Sequence, residues 1–562
     1  MISRYIKETD FLFFLLIVTL IFALIPKPVS LEILGTMGKE FAIYPLIIGM
    51  LLTAYVWIKS KKRKQFDSSM DDAFQMFSKK IKWYIVGLWL VLTISVVLGA
   101  IYYPYYEQLL SNSRFLPTRF IKFMAIFKSE NITKSGMVLW LIIKGLKNVF
   151  LDTFWLFGGA ILIYLWYQKR PDRCLNLLLK GIFTSFGIIY LYELIELPYL
   201  LGDQTAAHIL ATINPYIHQI GHLSNYYIGN NNADVQAYAW WPPLLWKHQV
   251  RSVFPEPSFF GFYCAFAMPW FWYILFQIRK ESLFSIKNII LAVVILLVDF
   301  LVFATKARTA IILFIGESIL LIFYGIYQRN REVWKKIIGI FLLTIMAFGG
   351  SLIFSQIEKN GFSMNQNYEI ESNTESFIQK AGESYVSENI TSAVGKNQRS
   401  NRARFSLMEA ELKVWMEHPI FGVGKGLKGA YIPEKLPSDA IQSSEVRMWI
   451  SRLHANGALK ASFPDVSEYT SKLCEIGLLG CILYYFPAVY LAFYFALFLW
   501  RTRGYKQHLE IQNLIFFYLI SLAGILAGGI STSLNVNYCF GVLLGIGLIL
   551  YHQVKCLEKL KK

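Results

Sequence analysis

The sequence predicts an all-α polytopic membrane protein with about twelve transmembrane helices and a large, partly helical extracytoplasmic loop between spans 9 and 10. Three observations support this fold class. Of 562 residues, 55% are hydrophobic and only 16% are charged, whereas roughly 25% are charged in ordinary soluble proteins. Apolar runs of membrane-spanning length recur along the chain. One polar segment, 356–475, is far longer than a connector between helices needs to be.

The composition also excludes other classes of protein. Too few residues are polar for a disordered or collagen-like chain, and no heptad pattern indicates a coiled coil. The six cysteines show no paired spacing, so neither a disulfide framework nor a zinc site is predicted. The predicted spans are runs of roughly 17–25 apolar residues. They fall near 11–25, 41–58, 83–103, 149–167, 181–201, 258–278, 286–304, 310–327, 336–354, 476–499, 513–531 and 537–552.

The charges of the short loops set the predicted orientation, because cytoplasmic loops carry an excess of Lys and Arg. Segment 59–82 holds eight basic residues, so we assign it and alternate loops to the cytoplasm, with both termini inside. The net charge of +18 then reflects topology and requires no nucleic-acid partner. Segment 104–148 is basic yet falls outside. Its Arg114, Arg119 and Lys122 alternate with aromatic residues, which is typical of an amphipathic helix on a membrane surface.

These assignments divide the chain into three parts. Residues 1–355 hold spans 1–9, with an outer loop rich in aromatic residues and histidine at 202–257. Residues 356–475 form the extracytoplasmic loop, and 476–562 hold spans 10–12 and a cytoplasmic tail. The histidines of the outer loop form no HExxH motif, and we predict no metal site and no cofactor.

Four acidic residues lie within predicted spans: Glu193 and Glu196 three residues apart in span 5, Asp299 in span 7, and Glu317 in span 8. Charged groups in a bilayer are costly and usually face a cavity or a partner. Pairing with a neighbouring Lys or Arg is one explanation for each of them taken singly. As a group, the four are predicted to line one outward-facing polar cavity.

The segment from Arg251 to Ser258 leads directly into span 6 and contains two prolines that flank Glu256. Because proline restricts its own backbone and that of the preceding residue, Arg251 and Glu256 are held at the outer membrane surface. One interpretation is a helix start with an interfacial ion pair. The other is an arginine that binds an anion, with an acidic residue that orients it.

A short turn between spans 7 and 8 carries Lys306 and Arg308, against the charge bias expected of an outer loop. These side chains could anchor the helix ends in the interface. They could also bind a lipid diphosphate, since arginine contacts phosphate oxygens in a bidentate manner.

The long loop becomes helical in pattern from Arg402, where apolar residues recur every three or four positions. Arg404 follows, and then His418-Pro-Ile-Phe-Gly-Val-Gly-Lys-Gly, which predicts a tight turn with exposed backbone amides and matches no nucleotide-binding motif. His454 is a candidate base near neutral pH, although a plain surface histidine is the simpler interpretation.

Together these features resemble the O-antigen polymerase and O-antigen ligase superfamily, the Wzy-type and WaaL-type bacterial membrane glycosyltransferases. The similarity extends over roughly 180–500 and rests on the order and topology of weak motifs. The first three features are the large loop between spans 9 and 10, the Arg-x(4)-Glu-Pro-Ser type segment at 251–258, and the basic turn at 306–309. The fourth is Arg404 upstream of a His-Pro-x-x-Gly-x-Gly turn, which is followed by Glu-x-Gly-x-x-Gly at 475–480.

The resemblance implies a metal-independent, inverting glycosyl transfer at the outer face of a bacterial plasma membrane. The donor is a glycan on undecaprenyl diphosphate, and the acceptor is a sugar hydroxyl on another repeat unit (polymerase) or on a lipid or protein (ligase). Arg251, Lys306, Arg308 and Arg404 would hold the diphosphate, whose developing negative charge needs stabilisation. A chain-length regulator and a flippase are the partners that such a polymerase works with.

Ligases of this superfamily carry His-Asn shortly before the Glu-x-Gly-x-x-Gly turn, whereas this chain has Pro464-Asp-Val-Ser-Glu-Tyr. The departure disfavours a ligase and leaves Glu256, Asp465, His454 or Glu468 as the catalytic base, or no base at all. The first three are our predicted catalytic residues.

We therefore predict a polymerase that builds a surface polysaccharide such as O-antigen, capsule or exopolysaccharide, with a ligase as the alternative. A twelve-span secondary transporter is an alternative of another class. The familiar two-halves carrier has its long link between spans 6 and 7, where this chain has only a short one.

Overall fold

A computed structural model describes residues 2–22, 41–62, 80–126, 133–217, 249–277, 285–360, 401–534 and 537–560. Every regular element in these residues is helical, which confirms the all-α class. The helices in chain order are α1 (Ile2–Thr19), α2 (Ile43–Lys62), α3 (Lys80–Ile101), α4 (Tyr106–Leu110), α5 (Thr118–Ile126), α6 (Lys134–Thr153), α7 (Gly159–Tyr167), α8 (Pro171–Leu200), α9 (Gln204–Ile217), α10 (Pro257–Gln277), α11 (Ile286–Ala304), α12 (Arg308–Gln328), α13 (Arg331–Asn360), α14 (Asn401–Glu417), α15 (Lys428–Lys435), α16 (Ser444–Asn456), α17 (Glu468–Thr502), α18 (Leu509–Gly528) and α19 (Cys539–Leu560).

Within the described residues, ten helices are long and apolar enough to cross a membrane, so the chain is a polytopic membrane protein. They correspond in order to predicted spans 3–12. Helices α1 and α2 overlap predicted spans 1 and 2, and the total of twelve stays a prediction.

The fourth predicted span, 149–167, is the least accurate of these boundaries. A single helical rod begins at Lys134 and continues to Tyr167, because a π-helical turn over Phe154–Gly158 joins α6 to α7 without a break. Lys144 and Lys147 interrupt the apolar pattern, so the predicted span begins only after them. Both lysines nevertheless lie on the continuous helix α6.

Helix α10 is the most deeply buried of the ten, with 83% of its most apolar stretch inside the structure. It contacts α18 and α12 along its length. Small residues permit these approaches: a Cβ atom added at Gly261 would lie 2.2 Å from the Cβ of Ala310, and one at Gly528 would lie 2.5 Å from the ring of Phe262. Contacts of this kind bring helices together where lipid offers no hydrophobic drive.

Residues 401–467 lie between α13 and α17 in the chain, and we call them the inserted unit. They have a small hydrophobic core of their own. Ala403, Leu407 and Ala410 of α14 pack against Val446 and Trp449 of α16. The inserted unit also contacts the segment before α6, because Val414, Val423, Leu427 and Tyr431 share a buried cluster with residues 100–141. The predicted helix from Arg402 is confirmed as α14.

The amphipathic pattern predicted within 104–148 is present in α5. Phe120 and Met124 are buried, while Arg119 and Lys122 are exposed. The buried face of α5 packs on Trp140 of α6, with ring centroids of Phe120 and Trp140 5.6 Å apart. This segment therefore supports the inserted unit from one side.

Candidate active site

A cavity of about 530 Å³ lies where the first turns of α10 and α12 meet the inserted unit. The first residues of both helices line it, and the dipole at a helix N-terminus favours an anion. It is lined by Gln249, Glu256, Pro257, Ser258, Lys306, Ala307, Arg308, Thr309, Ile312, Asn401, Arg404, Phe405, Met408, Glu445, Val466, Ile530 and Ser531. The cavity thus brings together four residues that the sequence placed in separate motifs: Glu256, Lys306, Arg308 and Arg404.

The loop before α10 presents Glu256 to this cavity. Pro257 is the first residue of α10 and fixes the backbone there. Upstream, the loop is held by a hydrogen bond from Val250 N to Ala304 O at 3.2 Å. The Ser258 hydroxyl donates to Glu256 Oε2 at 3.3 Å, which keeps the carboxylate at the cavity wall.

Arg251 occupies a different environment, since its side chain is fully buried. Its Nη1 donates to Pro255 O at 3.3 Å. The adjacent Ser252 has a left-handed backbone with φ +56°, and its N–H donates to Glu196 Oε2 at 2.8 Å. Arg251 is not among the described residues that line the cavity, so its predicted role as a phosphate ligand stays a prediction.

The turn between α11 and α12 carries both predicted cations, and they differ in their surroundings. Lys306 has a left-handed backbone with φ +49°, and its ammonium lies 3.0 Å from Glu358 Oε2, near the end of α13. Glu358 was not identified from the sequence. Arg308 is the first residue of α12 and also lines the cavity.

Arg404 projects from the first turns of α14 and ties the inserted unit to the turn after α18. Its Nη1 donates to Ser531 O at 2.9 Å. The Ser531 hydroxyl is in turn 3.1 Å from the Thr309 hydroxyl, so the backbone and side chain of one serine connect α14 with the start of α12. Ser531 carried no sequence motif and was missed.

Glu445 is a second carboxyl in the cavity that the sequence did not single out. It lies in the first turn of α16, where the helix dipole favours a negative charge. Burial raises the pKa of Glu445, Arg404 and Arg308 act in the opposite direction, and nearby Glu256 raises it further. The resulting pKa of Glu445 is above the ordinary glutamate value. Two carboxyls and two arginines therefore line this cavity together: Glu256, Glu445, Arg308 and Arg404.

Asp465 belongs to a separate ionic cluster, which joins the inserted unit to the start of α17. Lys428 Nζ lies 2.6 Å from Glu411 Oε1, 2.5 Å from Asp465 Oδ1 and 2.5 Å from Ser471 Oγ. Although burial opposes ionisation of Asp465, the charges of Lys428 and Lys425 hold its pKa well below the usual range. A carboxylate with so low a pKa is a weak base, and the catalytic role of Asp465 stays a prediction.

The glycine-rich turn after α14 serves a structural purpose. Gly422, Gly424 and Gly426 all have positive φ, as does Gly477 within α17. The N–H groups of Val423 and Gly424 donate to the carbonyls of Cys474 and Glu475 at 2.9 Å, and Gly426 N donates to Glu475 Oε1 at 2.9 Å. The predicted exposed amides are therefore wrong at these three positions, because the kink of α17 accepts their hydrogen bonds.

The remaining predicted residues lie away from the cavity. His454 is exposed in the last turn of α16. Glu193 and Glu196 are buried beneath the turn at Ser252, Asp299 accepts a hydrogen bond from Thr344 at 2.6 Å, and Glu317 lies against Gly524. None of these acids lines the cavity described above, and the common cavity expected for them stays a prediction. The histidines at 218, 222 and 248 fall outside the described residues.

Among the residues that the structure describes, no group of three His, Cys, Asp or Glu side chains could hold a metal ion. The groups that face the cavity are instead guanidinium, ammonium, carboxyl and hydroxyl groups. Such groups bind and orient anionic or hydroxylated molecules and can transfer protons.

A polytopic helical membrane protein with a basic, carboxyl-containing cavity at one end of its spans is the class that fold and site define. Residues 291–451 match the family described as O-antigen ligase. This part of the chain is similar to that family, which confirms the resemblance to the O-antigen polymerase and ligase superfamily. No curated protein matches the chain. The matched region runs from α11 into α16 and includes Lys306, Arg308, Arg404 and Glu445.

The family match supports a membrane enzyme of polysaccharide metabolism that resembles a glycosyltransferase. It also implies a lipid-linked glycan as substrate.

Proposed function

We propose that this protein polymerises oligosaccharide repeat units linked to undecaprenyl diphosphate into a surface polysaccharide, at the outer face of a bacterial plasma membrane. The observation that carries the proposal is the pair of arginines, Arg308 and Arg404, in one cavity with Glu256 at the ends of membrane-spanning helices. Cations placed where a diphosphate departs lower the barrier to glycosyl transfer, since negative charge develops there in the transition state.

The proposed reaction is a single inverting displacement. The acceptor hydroxyl oxygen attacks the anomeric carbon of the donor glycan, and the bond from that carbon to the phosphate oxygen breaks with its electron pair on the phosphate. Arg308 and Arg404 stabilise the departing diphosphate. Glu256 takes the proton of the acceptor hydroxyl, a role that suits a carboxylate at the cavity wall.

The cavity also has an apolar side that suits a lipid substrate. Ile312 and Ile530 line it and remain 48% and 57% exposed, and Phe405 is 37% exposed. In a bilayer, exposed apolar side chains beside a cationic pocket allow an isoprenoid chain to stay in lipid while its diphosphate enters the cavity.

Alanine variants of the two arginines test this proposal. In cells that lack the native gene, Arg308→Ala and Arg404→Ala should leave the protein expressed in the membrane and stop chain growth, so that single repeat units accumulate. Arg402→Ala is the matched control on α14, because Arg402 bonds to Gln442 in the adjoining turn and does not line the cavity. Polymer of normal length in both cavity variants would contradict the proposal.

A ligase is the second candidate, and the description of the matched family favours it. It would transfer a finished glycan to a lipid or protein acceptor with the same diphosphate departure. Deletion of the gene separates the two functions. Loss of a polymerase leaves single repeat units, whereas loss of a ligase leaves long polymer that stays on the lipid carrier.

A further inference from the structure

Glu445 is the cavity carboxyl that the proposed reaction leaves without a role. It lines the same cavity as Glu256 but comes from α16 of the inserted unit. Of the described residues, the charged groups that act on its carboxyl are Arg404 from α14, Arg308 from α12 and Glu256. The turn packed against α16 also carries Asp439. Glu445 therefore faces the two arginines that would hold the diphosphate.

The charges in the cavity limit how many groups can be ionised when a donor is bound. A glycosyl lipid diphosphate carries two negative charges, and departure of the glycan adds a third. Arg308 and Arg404 supply two positive charges, while Lys306 is already 3.0 Å from Glu358. With Glu256 and Glu445 both ionised, negative charge would exceed positive charge in a partly desolvated space, and one carboxyl should bind a proton.

The surroundings of the two carboxyls indicate which one takes the proton. Burial and the neighbouring Glu256 already raise the pKa of Glu445 before any donor is present. Glu256 Oε2 instead accepts a hydrogen bond from the Ser258 hydroxyl at the cavity wall. Two carboxyls in unlike environments are the arrangement that divides acid and base roles within one site.

We propose that Glu445 is a second catalytic carboxyl, which holds a proton when the lipid diphosphate is bound and donates it to the departing phosphate oxygen. This inference rests on the proposed function. In the step, the acceptor hydroxyl proton goes to Glu256 while the Glu445 proton goes to the phosphate oxygen that received the electron pair. Glu256 then releases its proton to solvent, and Glu445 regains one from solvent after the diphosphate product leaves.

The first test is the pH dependence of polymer formation by the purified full chain in proteoliposomes, with lipid-diphosphate repeat units as substrate. Wild-type activity should fall as pH rises through the pKa of Glu445, because the protonated form is required. Glu445→Gln should lower kcat by roughly 100-fold or more, leave the donor KM unchanged or lower, and lose the decline at high pH. Glu445→Asp should keep the decline and recover part of kcat.

The second test measures proton uptake and needs no turnover. Calorimetric binding of undecaprenyl diphosphate in buffers of different ionisation enthalpy should show proton uptake by the wild type and by Glu256→Gln. Uptake should be absent in Glu445→Gln, which should bind the lipid at least as tightly because a negative charge is gone. Unchanged uptake in Glu445→Gln would overturn the proposal.

The two levels of inference fail in different ways. If the wild type forms no polymer from these substrates, the proposed function is wrong. If it forms polymer and Glu445→Gln keeps the wild-type kcat and pH profile, the polymerase stands and the role of Glu445 is wrong. Should Glu445→Gln not fold, Glu445→Asp decides the matter, because loss of the high-pH decline in that variant would equally refute a proton-donating carboxyl at this position.

Discussion

Replacement of Lys428 by methionine is expected to destabilise the protein by about 3 kcal/mol. Its ammonium contacts Glu411 at 2.6 Å and Asp465 at 2.5 Å. Methionine fills a similar volume but leaves Glu411, whose side chain is 0% exposed, without a cation. Loss of one partner of a buried ion pair costs about 3–5 kcal/mol. Asp465 contributes less because its side chain is 50% exposed and water can solvate it.

The assay is equilibrium or thermal unfolding of the purified protein in detergent, followed by circular dichroism. Lys435→Met is the matched control on the same helix, because Lys435 pairs with Glu417 at the surface, and such pairs contribute roughly 0–1 kcal/mol. Adding Glu411→Gln to Lys428→Met should restore part of the loss by removing the uncompensated charge. Equal losses in Lys428→Met and Lys435→Met would refute the reasoning.

Three further predictions concern backbone, pH and a single hydrogen bond. Gly422→Ala should lower the free energy of unfolding by about 2 kcal/mol, and Gly426→Ala should lower it less in the same assay. Both glycines have positive φ, but only at Gly422 would the new Cβ lie against a carbonyl oxygen, 2.6 Å away. The depressed pKa of Asp465 stabilises the fold above the ordinary aspartate pKa of about 3.9; unfolding midpoints should fall as pH drops below it, and pH-independent midpoints between 5 and 3 would contradict this. Thr309→Val loses the 3.1 Å contact with Ser531 and should cost roughly 1 kcal/mol, and a neutral result would show that water replaces it.

The membrane helices could be predicted from the sequence because span length and apolarity are local properties. Ten predicted spans correspond to helices of the required length. The failure at α6 has a physical cause. Lys144 and Lys147 interrupt the apolar run, yet lysine is a good helix former, and the ammonium of Lys144 lies 4.9 Å from the ring centroid of Trp140. The helix therefore starts at Lys134, well before the apolar run that predicted the span.

The helix α14 shows where periodicity alone is insufficient. Phe405, Met408 and Leu412 predicted a helix, and the helix is present. The face packed into the core of the inserted unit, however, carries Ala403 and Leu407, while Phe405 and Met408 line the cavity. Phe405 is large yet does not belong to this core, whereas the small Ala403 and Ala410 do.

The cavity could be predicted only in part, because Glu256, Lys306 and Arg308 stand in unusual local patterns and Glu445 does not. Lys306 and Arg308 were noticed because basic residues are rare in such a turn. Glu445 is an ordinary first-turn glutamate of a helix, and Glu358 lies at the end of a long apolar one. Only the three-dimensional contacts distinguish these two from other acidic residues.

The placement of Arg404 beside Arg308 depends on how firmly the inserted unit is fixed to the spans. Gly477 kinks α17 with φ +67°, and a Cβ there would lie 2.3 Å from the Ile420 carbonyl oxygen. A Cβ at Gly99 of α3 would similarly lie 2.2 Å from the carbonyl oxygen of Val423. The glycine turn is thus held between two spanning helices through direct backbone contact. An anchor of this kind allows little rotation of α14, so under the proposed function the two guanidinium groups would be preorganised for one diphosphate before it binds.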